Sequence, residues 1–126
     1  MLTAHDLVQE AKKRIVEVSP QEAQSLLDSG LLLLDVREPA EYEEGHVPGA
    51  INIPRGMLEF KMSQEESLTN RQRQILLYCK TSGRAALSAV ALQTLGFEHV
   101  RSILGGFDGW CAAGLPTDKP KALSFE

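Results

Sequence analysis

The stretch YCKTSGRAAL, Tyr78 to Leu87, sets a thiol between an apolar run and the start of a helix, with Lys80, Thr81, Ser82, Gly83 and Arg84 directly after it. A thiol becomes a strong nucleophile when its pKa falls below the free value of about 8.5, which helix N-termini and nearby cations bring about. This segment offers both. The first amides of the helix point back toward the sulfur, Gly83 permits the backbone angles of an amide nest, and Lys80 and Arg84 add positive charge. Such a cradle stabilises a thiolate, and equally an anionic ligand or an anionic adduct on the sulfur. The plainer reading is a small buried hydrophobe at a strand end, where free cysteine is usually inert. A packed position, however, has no need of a polar, glycine-containing loop before the next helix.

Other uses of a cysteine lack their company. Cys79 and Cys111 are the only two cysteines of 126 residues. Two do not make a disulfide framework, and a reducing compartment disfavours a bridge between them. His5, His46 and His99 are scattered and no C-x-x-C or H-x-x-x-H occurs, so no metal is expected. Nothing in the sequence calls for another cofactor. Cys111 lacks the flanking cations and glycine that Cys79 has, so a relay role for it has little support.

The elements that must position Cys79 follow from patterning. Residues 3–13 predict a leading helix, with Leu7, Val8 and Ala11 on one side, and residues 14–18 a short strand. SPQEAQSLLDSG predicts a helix capped by Ser19, with Pro20 in its first turn, Glu22 closing a capping box, Gly30 as its stop and Ala23, Leu26 and Leu27 as its stripe. LLLLDVR predicts a strand buried on both faces, with Asp35 and Arg37 at its carboxyl end. A short acidic helix opens at Pro39, a strand covers Ala50 to Ile53, residues 57–67 are helical, and a second apolar strand begins at Ile75. The helix after the cysteine loop is apolar nearly all round, with Leu87, Val90, Ala91 and Leu95 at helical spacing and Gly96 as its stop. His99 to Ile103 makes the last strand, and LGGFDGW turns into a final short helix.

Strands alternating with helices predict an α/β domain with a mostly parallel, five-stranded sheet flanked by helices. Ligands of such sheets bind beyond the carboxyl ends of the strands, where Cys79 falls. The expected organisation is an accessory helix over 1–13, one domain over 14–118 and a tail over 119–126, since a 13.8 kDa chain accommodates a single core. A net charge of -4 and the absence of a long basic cluster exclude general nucleic-acid binding. GLLLL, Gly30 to Leu34, is the longest apolar run, too short to span a bilayer, so no membrane partner is expected. The N-terminal stretch carries Asp6 and Glu10 and no apolar signal region, which predicts a cytoplasmic protein.

DVREPAEYEEGHVPGAINIP (Asp35 to Pro54), the C-x4-R loop CKTSGR, and LGGFDGW with AGLP (Ala113 to Pro116) together resemble the single-domain rhodaneses, a sulfurtransferase family. The resemblance runs from about Glu17 to Pro116. It implies a doubly wound sheet, and that the Cys79 thiolate attacks the outer sulfur of thiosulfate, sulfite leaves, and the persulfide passes to a thiophilic acceptor, cyanide or a thiol. Lys80, Thr81, Ser82, Gly83 and Arg84 would bind the persulfide and attract the anionic donor, while Asp35 and Arg37 support the site. Read from the residues alone, Asp35 and Arg37 are a surface ion pair of small value. Arg37 with Glu41 locks the loop before the acidic helix, and His46 makes structural hydrogen bonds in a turn. Two further readings stand beside this one. In one, the chain is a sulfur-relay or docking module whose cysteine takes sulfur from a protein donor. In the other, it is a phosphatase or arsenate reductase of the same fold, disfavoured because those use C-x5-R and a placed general acid, a role nothing in the sequence assigns to Asp108. Gly105-Gly106 reads as a tight turn, Trp110 as core, and the charged face of LEFKMSQEES (Leu58 to Ser67) as solvated surface.

Overall fold

The computed structural model describes residues 1–120 of the chain; of the expected tail over 119–126, residues 121–126 lie outside the described residues. Five strands, β1 (Val16–Val18), β2 (Leu32–Asp35), β3 (Ile51–Asn52), β4 (Ile75–Tyr78) and β5 (Val100–Ile103), form one sheet in the order β1-β5-β4-β2-β3. Every neighbouring pair is parallel, so the sheet is wholly rather than mostly parallel. β2 and β4 are buried at every position, as their uninterrupted apolar runs require. The connection after β2 runs to one side of the sheet and that after β4 to the other. The carboxyl ends of these two adjacent strands are therefore the switch point, where a crevice opens in such sheets. Asp35 and Cys79 stand at those two ends.

Six helices flank the sheet: α1 (Ala4–Lys12), α2 (Pro20–Leu27), α3 (Pro39–Glu44), α4 (Leu58–Gln64), α5 (Gly83–Thr94) and α6 (Gly106–Ala112). One face packs Leu58 and Met62 of α4 and Ala85, Ala89 and Leu92 of α5 against Leu32, Leu34, Ile75 and Leu77. The other packs Ala23 of α2, Tyr42 of α3 and Trp110 of α6 against Leu33, Leu76 and Tyr78. Alternation along each strand sends side chains to opposite faces, so a single chain of strands feeds both cores.

Several expectations are corrected in detail. The helix over 57–67 breaks into a 3-10 turn at Arg55–Met57, α4, and a second 3-10 turn at Glu66–Leu68. The α2 capping box is half formed: Ser19 Oγ accepts from the Glu22 amide at 3.1 Å, but the Glu22 carboxylate takes the Ser19 hydroxyl at 3.4 Å. α5 buries Ala85, Ala86, Ser88, Ala89 and Leu92, and of these Ala85, Ala89 and Leu92 join the core cluster against the sheet. Small side chains let α5 lie close to the strands. Leu87, Val90 and Ala91 instead border a groove shared with Leu7 and Ala11 of α1. α1 holds itself with a complete capping box between Thr3 and Asp6. No helix among the described residues is long and apolar enough to cross a membrane.

Candidate active site

β4 delivers Cys79 to the sheet edge, and α6 then fixes the loop that follows. The Phe107 amide donates to the Cys79 carbonyl at 2.8 Å and the Asp108 amide to the Lys80 carbonyl at 3.0 Å. In a trans peptide the N–H points opposite the C=O. With these two carbonyls turned toward α6, the amides of Lys80 and Thr81 face the other way, back over the loop. Among the described residues, no backbone amide from Lys80 through Ala85 donates to a protein acceptor. Six successive free N–H groups are a concavity for an anion.

Gly106 makes that contact between loop and helix possible. Its φ is 60°, and a Cβ there would stand 2.5 Å from the Thr81 carbonyl oxygen, 2.6 Å from that of Cys79 and 2.7 Å from that of Lys80. All three are backbone atoms, so nothing flexible can yield. Gly105, at φ 77°, supplies the left-handed residue that turns β5 into α6.

Both cations of the loop have a carboxylate partner, which the sequence reading did not foresee. Lys80 Nζ donates to Asp108 Oδ2 at 2.8 Å, and Arg84 grips Glu41 with two bonds of 2.6 and 3.0 Å. Glu41 is therefore Arg84's partner, not Arg37's. The Arg84 hydrogen bonds pull the Glu41 carboxyl down from 4.5 to about 2. The same bond raises Arg84, with Glu41's charge and then that of Cys79 adding to it. With both cations paired, the loop's backbone amides remain donors without a protein acceptor among the described residues. The Ser82 hydroxyl makes no cap bond to α5, and Gly83 abuts Val8 of α1, whose Cγ2 would lie 3.5 Å from an added Cβ.

Cys79 is only 1 % exposed and belongs to the apolar cluster with Val36, Ala85 and Ala89. Entry to the sulfur is thus narrow. Cys111, by contrast, is exposed on α6 and unbridged.

Asp35 and Arg37 are not a surface pair. Their side chains are 0 % and 5 % exposed. Arg37 Nε donates to both Asp35 oxygens at 3.1 Å, and Nη2 to Asp35 Oδ2 and to the Gly45 carbonyl at 2.7 Å each. Burial works against the guanidinium's charge, but the Asp35 bonds and charge more than offset it and raise its pKa. Above it lies Phe107, its ring centroid 4.4 Å from Arg37 Cζ. Burial, then the Asp35 charge, pushes the Tyr78 phenol well up, and its oxygen accepts from the Val47 amide at 3.0 Å. His46 stacks on Tyr42 at 3.9 Å and contacts its carbonyl, a structural part in a turn. Trp110 is buried and donates to the Pro116 carbonyl at 2.7 Å.

A cavity of about 280 Å³ opens beside the loop, walled by Arg37, Glu41, Glu44, Gly45, Lys80, Phe107 and Asp108. Among the described residues, no three His, Cys, Asp or Glu side chains stand close enough to share a metal ion.

A family model described as the rhodanese-like domain matches residues 19–113. The chain belongs to the rhodanese-like family. It is 33% identical over 103 residues to thiosulfate sulfurtransferase GlpE of Haemophilus influenzae, covering 81% of this chain and 93% of that protein. To the chloroplastic thiosulfate sulfurtransferase 16 of Arabidopsis thaliana it is 36% identical over 108 residues, 79% of this chain and 90% of the relative. A solved structure of a Rhodopseudomonas palustris protein, titled a possible tyrosine phosphatase, superposes with a TM-score of 0.84 at 30% identity, covering 94% of this chain and 96% of that one.

Around this rhodanese-like loop, the structure brings Asp35, Arg37 and the CKTSGR segment to one crevice and adds residues the sequence did not single out. Asn52 is one: its Nδ2 donates to the carbonyls of Asp35 at 3.0 Å and Arg37 at 2.9 Å, closing the β2 loop from β3. An amide residue following Ile51 in a short strand was the available signal. Gly106 was read as a turn former, and its contact with the rhodanese-like loop had no local signature, being set by a helix 27 residues on.

Proposed function

We propose that this rhodanese-like protein is a thiosulfate sulfurtransferase acting through a persulfide on Cys79. The observation that carries the reading is the run of free amides from Lys80 to Ala85 around that residue. The thiolate attacks the outer sulfur of thiosulfate, the S–S bond of the donor breaks, and sulfite leaves with its electron pair. The new terminal sulfur carries negative charge, and fixed N–H donors stabilise it without reorganising. An acceptor, cyanide or a thiolate, then attacks that sulfur and returns the electron pair to Cys79. No cofactor or metal enters either step. A cytoplasmic setting is part of this reading, and two cysteines that do not pair with each other are compatible with it. The C-x4-R spacing suits one added sulfur better than a phosphoryl group, and Asp108 has its carboxylate engaged by Lys80, so a phosphatase reading gains no acid.

The test is incubation with thiosulfate, removal of the excess, and mass spectrometry of the intact protein and its peptides. One added sulfur on Cys79 is expected, lost in Cys79→Ser and kept in Cys111→Ser. No sulfur from thiosulfate, with uptake from a cysteine desulfurase, establishes the relay module instead. Cys79-dependent hydrolysis of an aryl phosphate without sulfur uptake overturns the proposal in favour of a phosphatase.

A further inference from the structure

The cavity beside the loop has a charge pattern that the sulfur-loading step does not use. Arg37 is only 4 % exposed, yet its Nη1 donates to no acceptor among the described residues, all its bonds running through Nε and Nη2. Among the described residues, the side-chain atoms both sealed and unpartnered are Glu17 Oε2 and Ser102 Oγ, so Nη1 is not sealed; it belongs to a side chain that walls the cavity. A buried guanidinium held rigid by Asp35, with N–H groups left unpaired and its side chain in the wall of a cavity, suits a carboxylate. At the rim the pattern reverses. Lys80 is matched by Asp108 and Arg84 by Glu41, but Glu44 on the same wall has no ion-pair partner among the described residues. The cavity wall therefore combines a buried donor for an anion, Arg37, with an exposed free carboxylate for a cation, Glu44. Two of its walls, Lys80 and Phe107, are joined to Cys79, one by the chain and one by a 2.8 Å hydrogen bond.

The geometry points to this cavity as the acceptor subsite for a small thiol carrying an α-amino-acid head, its carboxylate on Arg37 Nη1 and its ammonium on Glu44. This rests on the persulfide reading above and names the acceptor class for it. A volume of about 280 Å³ accommodates a molecule of that size. The thiol loses its proton to solvent, and its thiolate attacks the terminal sulfur of the Cys79 persulfide. The S–S bond to Cys79 breaks, the electron pair returns to the Cys79 sulfur, and the acceptor departs as a persulfide with no external oxidant or reductant. A ligand bearing only one of the two charges makes half of the contacts.

The experiment loads the protein with thiosulfate, removes the excess, and follows single-turnover sulfur discharge to four thiols compared at equal thiolate concentration. L-Cysteine carries both charges, cysteamine the cation, 3-mercaptopropionate the anion and 2-mercaptoethanol neither. Discharge to L-cysteine is expected to be about tenfold or more faster than to 2-mercaptoethanol, with the singly charged thiols between. In Glu44→Gln, an exposed position, the advantage of L-cysteine and of cysteamine over 2-mercaptoethanol falls severalfold, while that of 3-mercaptopropionate does not fall. Equal rates across the four thiols, or an unaltered series in Glu44→Gln, overturn the assignment. In parallel, S-methyl-L-cysteine, which cannot accept sulfur, is titrated into the unloaded protein by NMR. Saturable shifts at the Phe107 and Gly45 amides, weakened in Glu44→Gln, support the subsite even if thiosulfate fails to load Cys79, in which case only the proposed function falls. Absence of those shifts sinks the subsite whatever the loading result.

Discussion

Gly106 and Cys79 meet backbone to backbone: a Cβ on residue 106 would sit 2.6 Å from the Cys79 carbonyl oxygen, inside van der Waals contact. The neighbouring Phe107 amide bonds that same oxygen, so α6 dictates which way the first peptide of the loop faces. Gly106→Ala has to open this junction and also strain a positive φ, for a cost of about 2–4 kcal/mol. Expected in urea unfolding is a loss of that size, with sulfur uptake at Cys79 slowed more than tenfold in protein that is still folded. Uptake at the wild-type rate in a folded variant would show that the peptide orientation is immaterial.

The buried pair of Asp35 and Arg37 predicts a large asymmetry. Asp35→Ala leaves a guanidinium stranded in the interior, and removing one partner of such a pair costs about 3–5 kcal/mol. Lys80→Ala, which breaks the exposed pair with Asp108, is expected to change stability by less than about 1 kcal/mol. Denaturant midpoints of the two variants provide the comparison, and similar losses would contradict the burial argument.

Glu41 gives a pH dependence of known sign. Its folded-state pKa lies at about 2, below the ordinary 4.5, so its pairing with Arg84 stabilises the fold fully above about 4.5. That contribution is lost as pH falls toward 2. Thermal midpoints measured between pH 6 and pH 2, a range chosen to bracket both values, should fall less steeply for Glu41→Gln than for wild type. Parallel acid limbs would remove Glu41 from the account.

The two thiols should separate by reagent size. Cys111 is exposed whereas Cys79 is 1 % exposed, so a bulky maleimide should modify Cys111 roughly tenfold or more faster. Thiosulfate should show the reverse preference, because only Cys79 is followed by free amides. Peptide mass spectrometry resolves both. Equal maleimide rates at the two positions would mean that the sulfur of Cys79 is more open than the fold indicates.

Local signals in the chain were enough for the α/β alternation, the burial of LLLL and ILLY, and the placement of Cys79 at a strand's carboxyl end, because period, length and turn residues act over a few positions. The polar loop after Cys79 was legible for the same reason. What the chain could not disclose was which charge answers which. Glu41 lies four residues from Arg37 and 43 from Arg84, yet it binds Arg84, because Asp35 had already claimed the guanidinium beneath the Phe107 ring. Nor does sequence spacing foretell that Arg37 is buried with one nitrogen left over, that Asn52 closes the β2 loop, or that Gly106 must lack a side chain. Those outcomes depend on α3, β3 and α6 converging on one sheet edge, and contacts between segments brought together only by topology leave no periodic trace in the order of residues.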